Sequence, residues 1–226
     1  MGTPILLFRL EGPLQSWGER SKWDWRDTAD FPSKSGVIGL LACALGLERE
    51  NPEIARLNRE LTVTVRADRP GELITDFHTV SSDNLLNAEG KKRSGAGTII
   101  SHRGYLQDAS FLVGITGDAA LLKRLKDALD DPVWPVYLGR KSCVPAVPVI
   151  GKLTENYETL LQAMESEPLP ARHEENQIRV EFDSMEGDGR LRPDLTVGLR
   201  SFQNRRVADR AIQIKEEEND SDESES

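Results

Sequence analysis

The chain has 226 residues, enough to bury a full core as one large domain or two small ones. Hydrophobic residues make up 38% and charged residues 30%, and the longest apolar stretch, residues 37–47, carries two glycines, so nothing reads as a membrane span. The formal net charge of -9 does not exclude a nucleic-acid partner: residues 216–226 hold seven carboxylates and no base, and without them 31 acidic residues face 29 basic ones. With no apolar residue to stabilise an ordered form, residues 215–226 are predicted to be a disordered acidic tail. The start, Met1-Gly2-Thr3-Pro4, lacks the basic-then-apolar build of a signal peptide. Cys43 and Cys143 have no metal-ligand spacing and read as two free buried thiols, so the expected compartment is the cytoplasm.

Residues 4–10 form a β-rich apolar run with Arg9 as its one charge, the pattern of a buried central strand. A long loop follows over 11–32. Ser33 or Ser35 then caps a helix with Val37, Ile38, Leu41, Ala42 and Leu45 on one face and Gly46 as its stop. Asn51-Pro52 opens a second, short helix that reaches Glu60. From Leu61 to Ala67 apolar and polar residues alternate, predicting a half-buried strand. A further strand covers 111–116, and Asp118 caps a helix with Leu121, Leu122, Leu125 and Leu129 inward. Residues 136–138 are expected to supply the last strand of this unit. The order strand, helix, strand, strand, helix, strand is that of the split-βαβ, ferredoxin-like arrangement of RNA-recognition modules, an α+β fold. The domain is drawn at 1–148, and residues 149–214 form a small C-terminal β region with strands near 177–183 and 195–199.

The second and third strands should meet at a tight turn, yet the insertion 68–110 separates them. Connections of that length are seldom structureless in a compact domain. Strand-like flanks at 73–80 and 98–106 surround the tip Lys91-Lys92-Arg93, so a projecting β-hairpin, a thumb, is expected.

Four places suit phosphate or base recognition. Gln15 and Trp17, with Trp23 and Trp25 beyond, bring aromatic and polar groups to a strand end. Stacking on bases and anchoring of the loop to the core are both open for them, with anchoring preferred for Trp23 and Trp25. Lys34, Ser35 and Gly36 open the first helix, where free amides favour an anion; ordinary capping explains the serines equally well, and the ending of a nucleotide-binding P-loop is absent. Tyr137-Leu138-Gly139-Arg140-Lys141-Ser142-Cys143 sets two cations beside a glycine turn. Arg200, Arg205, Arg206 and Arg210 form a basic stretch that either contacts phosphate or is solvated. His78, His102 and His173 lack metal-site spacing, and a structural role is preferred for His78. His102, Lys141 and Tyr137 or Tyr105 are the residues from which a metal-free ribonuclease would be assembled, though their spacing does not demand it.

In this order, Leu10 to Gly18, Phe31 to Gly36, Asp76-Phe77-His78-Thr79, Arg103-Gly104-Tyr105-Leu106, and the turn from Tyr137 to Cys143 resemble the Cas-five family of CRISPR-associated proteins, as found in type I-E Cascade. The resemblance implies a modified RNA-recognition (RAMP) fold with a β-hairpin thumb. It implies a subunit that caps the 5′ handle of the crRNA, packs against the terminal backbone subunit and the large PAM-reading subunit, and meets target DNA only through the complex. Neither cofactor, metal nor membrane is called for, and no catalysis is expected, because a separate type I-E subunit cuts the precursor. Type I-C relatives do cleave it, so a metal-independent endoribonuclease is the alternative. By matching position the RNA-binding residues are Lys34, Ser35, Gly36, Arg103, Arg140, Lys141 and Ser142, with Gln15, Trp17 and Arg200 second.

Overall fold

The fold was obtained as a computed structural model that describes residues 2–82, 85–86, 89–92, 97–173, 178–184, 189–198 and 201–213. The expected acidic tail, the Arg93 end of the thumb tip and Arg200 lie outside the described residues.

The first strand, β1 (Ile5–Glu11), is followed by two two-residue strands, β2 (Leu14–Gln15) and β3 (Trp25–Arg26), inside the long loop. Helix α1 (Lys34–Ala44) is capped by Ser33, whose Oγ accepts from the Gly36 amide at 3.2 Å, and Gly46 leaves it at φ +70°. Helix α2 (Pro52–Glu60) begins where the Asn51 side chain accepts from the Glu53 amide. Strand β4 (Thr62–Arg69) leads into the thumb hairpin, β5 (Glu72–Ser81) and β6 (Thr98–Gln107). Strand β7 (Ser110–Thr116) and helix α3 (Ala119–Asp130), capped by Asp118, follow. Then come β8 (Lys152–Thr154), α4 (Leu160–Ser166), β9 (Arg179–Asp183), β10 (Arg190–Gly198) and β11 (Ser201–Ala211).

Among the described residues the strands make two sheets: seven strands in the order β10-β11-β9-β4-β7-β1-β8, and a smaller thumb sheet with β6 between β2, β3 and β5. Neighbours in the large sheet are antiparallel. One face buries Leu6, Phe8, Leu10, Val63, Val65 and Phe111 against α1, α2 and α3. The other buries Ile5, Leu7, Leu112 and Val180 against α4.

Two expectations change. Residues 136–138 form no strand: the segment carries Pro132, Pro135, Pro145 and Pro148, each lacking an amide donor. The Leu138 carbonyl accepts from Ser16 and its amide donates to the Cys143 carbonyl, closing a turn instead. The place beside β1 goes to β8. Strand β4 is buried on both faces rather than half-buried, because α4 covers its polar side. The fully buried Arg66 guanidinium donates to the carbonyls of Met164 (2.5 Å), Glu167 (2.7 Å) and Pro168 (3.2 Å) and pairs with Asp68. Residues beyond 148 thus supply strands to the same sheet and a cover for its second face.

Candidate nucleic-acid interface

The start of α1 is already occupied by an anion of the chain itself. Asp194 of β10 accepts the Lys34 amide at 2.7 Å, and Arg205 of β11 holds the same carboxylate with Nε and Nη2 at 2.7 and 3.0 Å. Arg192, also buried, pairs with Glu19, Glu181 and Asp194 and donates to the Phe31 carbonyl at 2.7 Å. The Lys34 side chain is buried within this network; burial pushes its ammonium below the ordinary range, against the pull of Asp183 and Asp194. The helix start therefore follows the expected anion logic, but the Lys34 amide is not free for a phosphate. Arg205, read in the sequence as phosphate-facing or solvated, is an internal partner of Asp194 and Asp183. The Arg206 guanidinium donates to the Gly189 carbonyl, and the exposed Arg210 pairs with Glu165.

Gln15 and Trp17, expected as secondary RNA contacts, are buried in the core. The amide of Gln15 donates to the Leu10 and Ala109 carbonyls at 3.1 and 2.8 Å, and its Oε1 accepts from Trp17 Nε1 at 3.1 Å. Trp17 packs on Gly36, where an added Cβ would meet the indole at 2.8 Å.

Arg140 faces inward as well. It donates to the carbonyls of Gly104 (3.1 Å), Arg26 (2.9 Å) and Asp27 (3.2 Å), and its guanidinium lies 4.6 Å from the Tyr105 ring centre. The turn before it is possible because Gly139 adopts φ +88° and brings its α-carbon against the Ser16 carbonyl, where any Cβ would collide. Arg140 thus fastens the turn to the thumb base, leaving Lys141 and Ser142 exposed. Arg103 lies on β6 in register with the exposed Arg26 of β3 and donates to Ser101. Arg140 thus binds the carbonyl of Gly104, which follows Arg103, and that of Arg26, in register with Arg103, while Lys34 belongs to the Asp194 network.

Two features differ from or add to the sequence reading, the first being the tryptophans for which anchoring was preferred. Trp23 and Trp25 are exposed by 79% and 53%, so they do not anchor the loop to the core. Trp25 stacks on His102 (5.3 Å between ring centres), and Phe77 meets His102 edge-on (5.4 Å), an open column of rings on the thumb. The Trp pair in a Gly- and Ser-rich loop was the available signal. His78 is partly exposed beside Asp76 at 3.7 Å, not enclosed. The second feature is a trough of about 680 Å³ along the accessible side of α1, walled by Trp134, Tyr137 and the 139–141 turn. It continues past Ser35, Gly36 and Gly139 into a hollow of about 400 Å³ bounded by Thr196, Gly198 and Phe202. Ser35, Gly36 and Lys141 are the expected site residues that the trough unites. Cys143 is buried, whereas Cys43 opens onto the trough; burial raises both thiols, so neither is an activated nucleophile. No group of metal ligands occurs among the described residues, and no helix among them is long and apolar enough to cross a membrane.

Residues 5–214 match the family described as CRISPR-associated protein (Cas_Cas5), and the chain belongs to that family. Over 150 residues it is 36% identical to the CRISPR system Cascade subunit CasD of Escherichia coli (strain K12), of which it is a homologue. That match covers 61% of this chain and 66% of the relative, just under two thirds of the relative's length. A chain of a CRISPR RNA-guided surveillance complex superposes with a TM-score of 0.76 at 34% identity, over 95% of this chain and 91% of its own. A second structure, described as a Cas protein, gives 0.69 at 38% identity over 91% and 93%.

Proposed function

We propose that the chain is a non-catalytic subunit of a type I-E Cascade complex in the cytoplasm, acting in antiviral defence by holding the 5′ handle of the crRNA. The observation that carries this reading is the superposition, over nearly the whole chain, on a component of an RNA-guided surveillance complex. The order β8-β1-β7-β4, antiparallel throughout, supports a ferredoxin-like RAMP core, with β5 and β6 as its thumb. Ser35, Gly36 and Lys141 at the trough, the exposed Ser142 next to Lys141 in the chain, and Arg103 with Arg26 at the thumb base are the proposed RNA contacts, with Arg140 holding the two parts together. The terminal backbone subunit and the large PAM-reading subunit are the proposed protein partners.

The residues from which a ribonuclease would be assembled lie in different settings. His102 sits in the ring column, Tyr105 lies beneath Arg140, and Lys141 and Tyr137 line the trough. Incubating the purified chain with labelled repeat RNA in EDTA tests the reading. A shifted, full-length RNA is expected; a discrete product ending in a 2′,3′-cyclic phosphate would overturn it.

A further inference from the structure

We infer that the trough over α1 seats one unstacked nucleobase of the bound RNA, with the adjoining phosphate held between Lys141 and Arg49. The inference rests on the RNA-holding reading above and names the subsite. The trough is lined by two aromatic residues, Trp134 and Tyr137, and by two cations, Lys141 and Arg49, and no carboxylate lines it, although acidic and basic residues nearly balance in the chain before residue 216. Both cations are exposed, and neither has an ion-pair partner among the described residues. Its volume of about 680 Å³ suits a small ligand. A flat apolar face and a negative charge are what rings and cations recognise together, and a nucleotide carries both.

The floor supports the same occupant. Helix α3 turns Lys123 and Arg124 to solvent, as a hydrated helix does. The accessible stripe of α1 is Ser35, Gly36, Gly39 and Cys43, with no long side chain. Gly36 makes room for Trp17, but a Cβ on Gly39 would meet nothing within 4 Å. A mid-helix glycine weakens its helix, and no neighbour inside the chain requires this one. The space above it opens into the trough and is not a gap in the core.

The test combines Gly39→Leu with abasic substitutions walked along the repeat-derived handle RNA, using the full chain. The variant is expected to keep or raise the melting temperature and to lose about tenfold in RNA affinity, the scale of one stacking contact. One abasic position should weaken wild type equally and abolish the difference between the two proteins. If Gly39→Leu binds intact RNA like wild type, or its loss persists at every abasic position, the subsite is overturned while RNA holding stands. If the variant binds RNA normally but fails to join the other Cascade subunits, the trough docks a protein and the inference is wrong. Wild type that binds no handle RNA overturns both readings.

Discussion

Gln15 makes three hydrogen bonds without touching solvent, and Arg140 gives its donors to three main-chain carbonyls. Their neighbours Lys141 and Ser142 remain exposed. Substitutions should therefore separate support from contact. Gln15→Ala strands buried partners and is expected to cost about 2–4 kcal/mol, read by thermal or denaturant unfolding, with unchanged RNA affinity per folded molecule. Lys141→Ala should leave stability within about 0.5 kcal/mol of wild type but reduce the slope of log affinity against log salt by about 0.7. Arg140→Ala should act through order: faster amide exchange in β3 and β6, with weaker RNA binding as a consequence. A salt slope that falls with Arg140→Ala and stays fixed with Lys141→Ala would reverse the two assignments.

At the level of elements, α1 and the β10–β11 hairpin are joined by Asp194, which is shared by the Lys34 amide and Arg205 and lies beside Arg192. Asp194→Ala would remove one of the anions that the buried Arg192 and Arg205 share and strand the Lys34 amide, and is expected to cost about 3 kcal/mol in an unfolding experiment. Helices α2 and α3 are joined at the surface by Glu53 and Arg124, and the hydrogen bond from Arg124 holds the Glu53 carboxyl below its ordinary value of 4.5. A carboxyl whose folded pKa is depressed stabilises the protein above its unfolded value and loses that contribution as pH falls through the folded one. The gap between wild type and Arg124→Met should thus be about 0.5 kcal/mol near neutral pH, after allowance for solvent screening, and should vanish in acid below pH 4.5.

These elements also mark what a single sequence reveals. Asn51-Pro52, Asp118 and the Gly46 stop carry their structural instruction locally, so α1, α2 and α3 were legible almost to the residue, whereas α4, expected near 155–164, spans Leu160–Ser166. The thumb was legible as an insertion with strand-like flanks. Residues 136–138 misled because a short apolar run between prolines has the composition of a strand and not its donors. Residues 11–32 have no periodicity, so nothing local distinguished Trp17, which is buried, from Trp25, which is not. The candidate site was half legible: the glycine turn was visible, but the inward direction of Arg140 depends on Tyr105 and Gly104, distant in the chain.

For the molecule as a whole, β8 covers β1, α4 covers the second face of the sheet, and β9 pairs with β4. A chain cut after Pro148 would lose all three and is expected to lack near-ultraviolet circular dichroism, while residues 1–213 should unfold in one transition. The two margins of the large sheet have a further consequence. One is the three-residue β8; the other, β10, contains Pro193, shifts register twice against β11, and lies against α1 and α2. Short or interrupted borders are poor templates for a foreign strand. Such a chain, made in excess over its proposed partners, should resist fibrillar self-association and remain available to them.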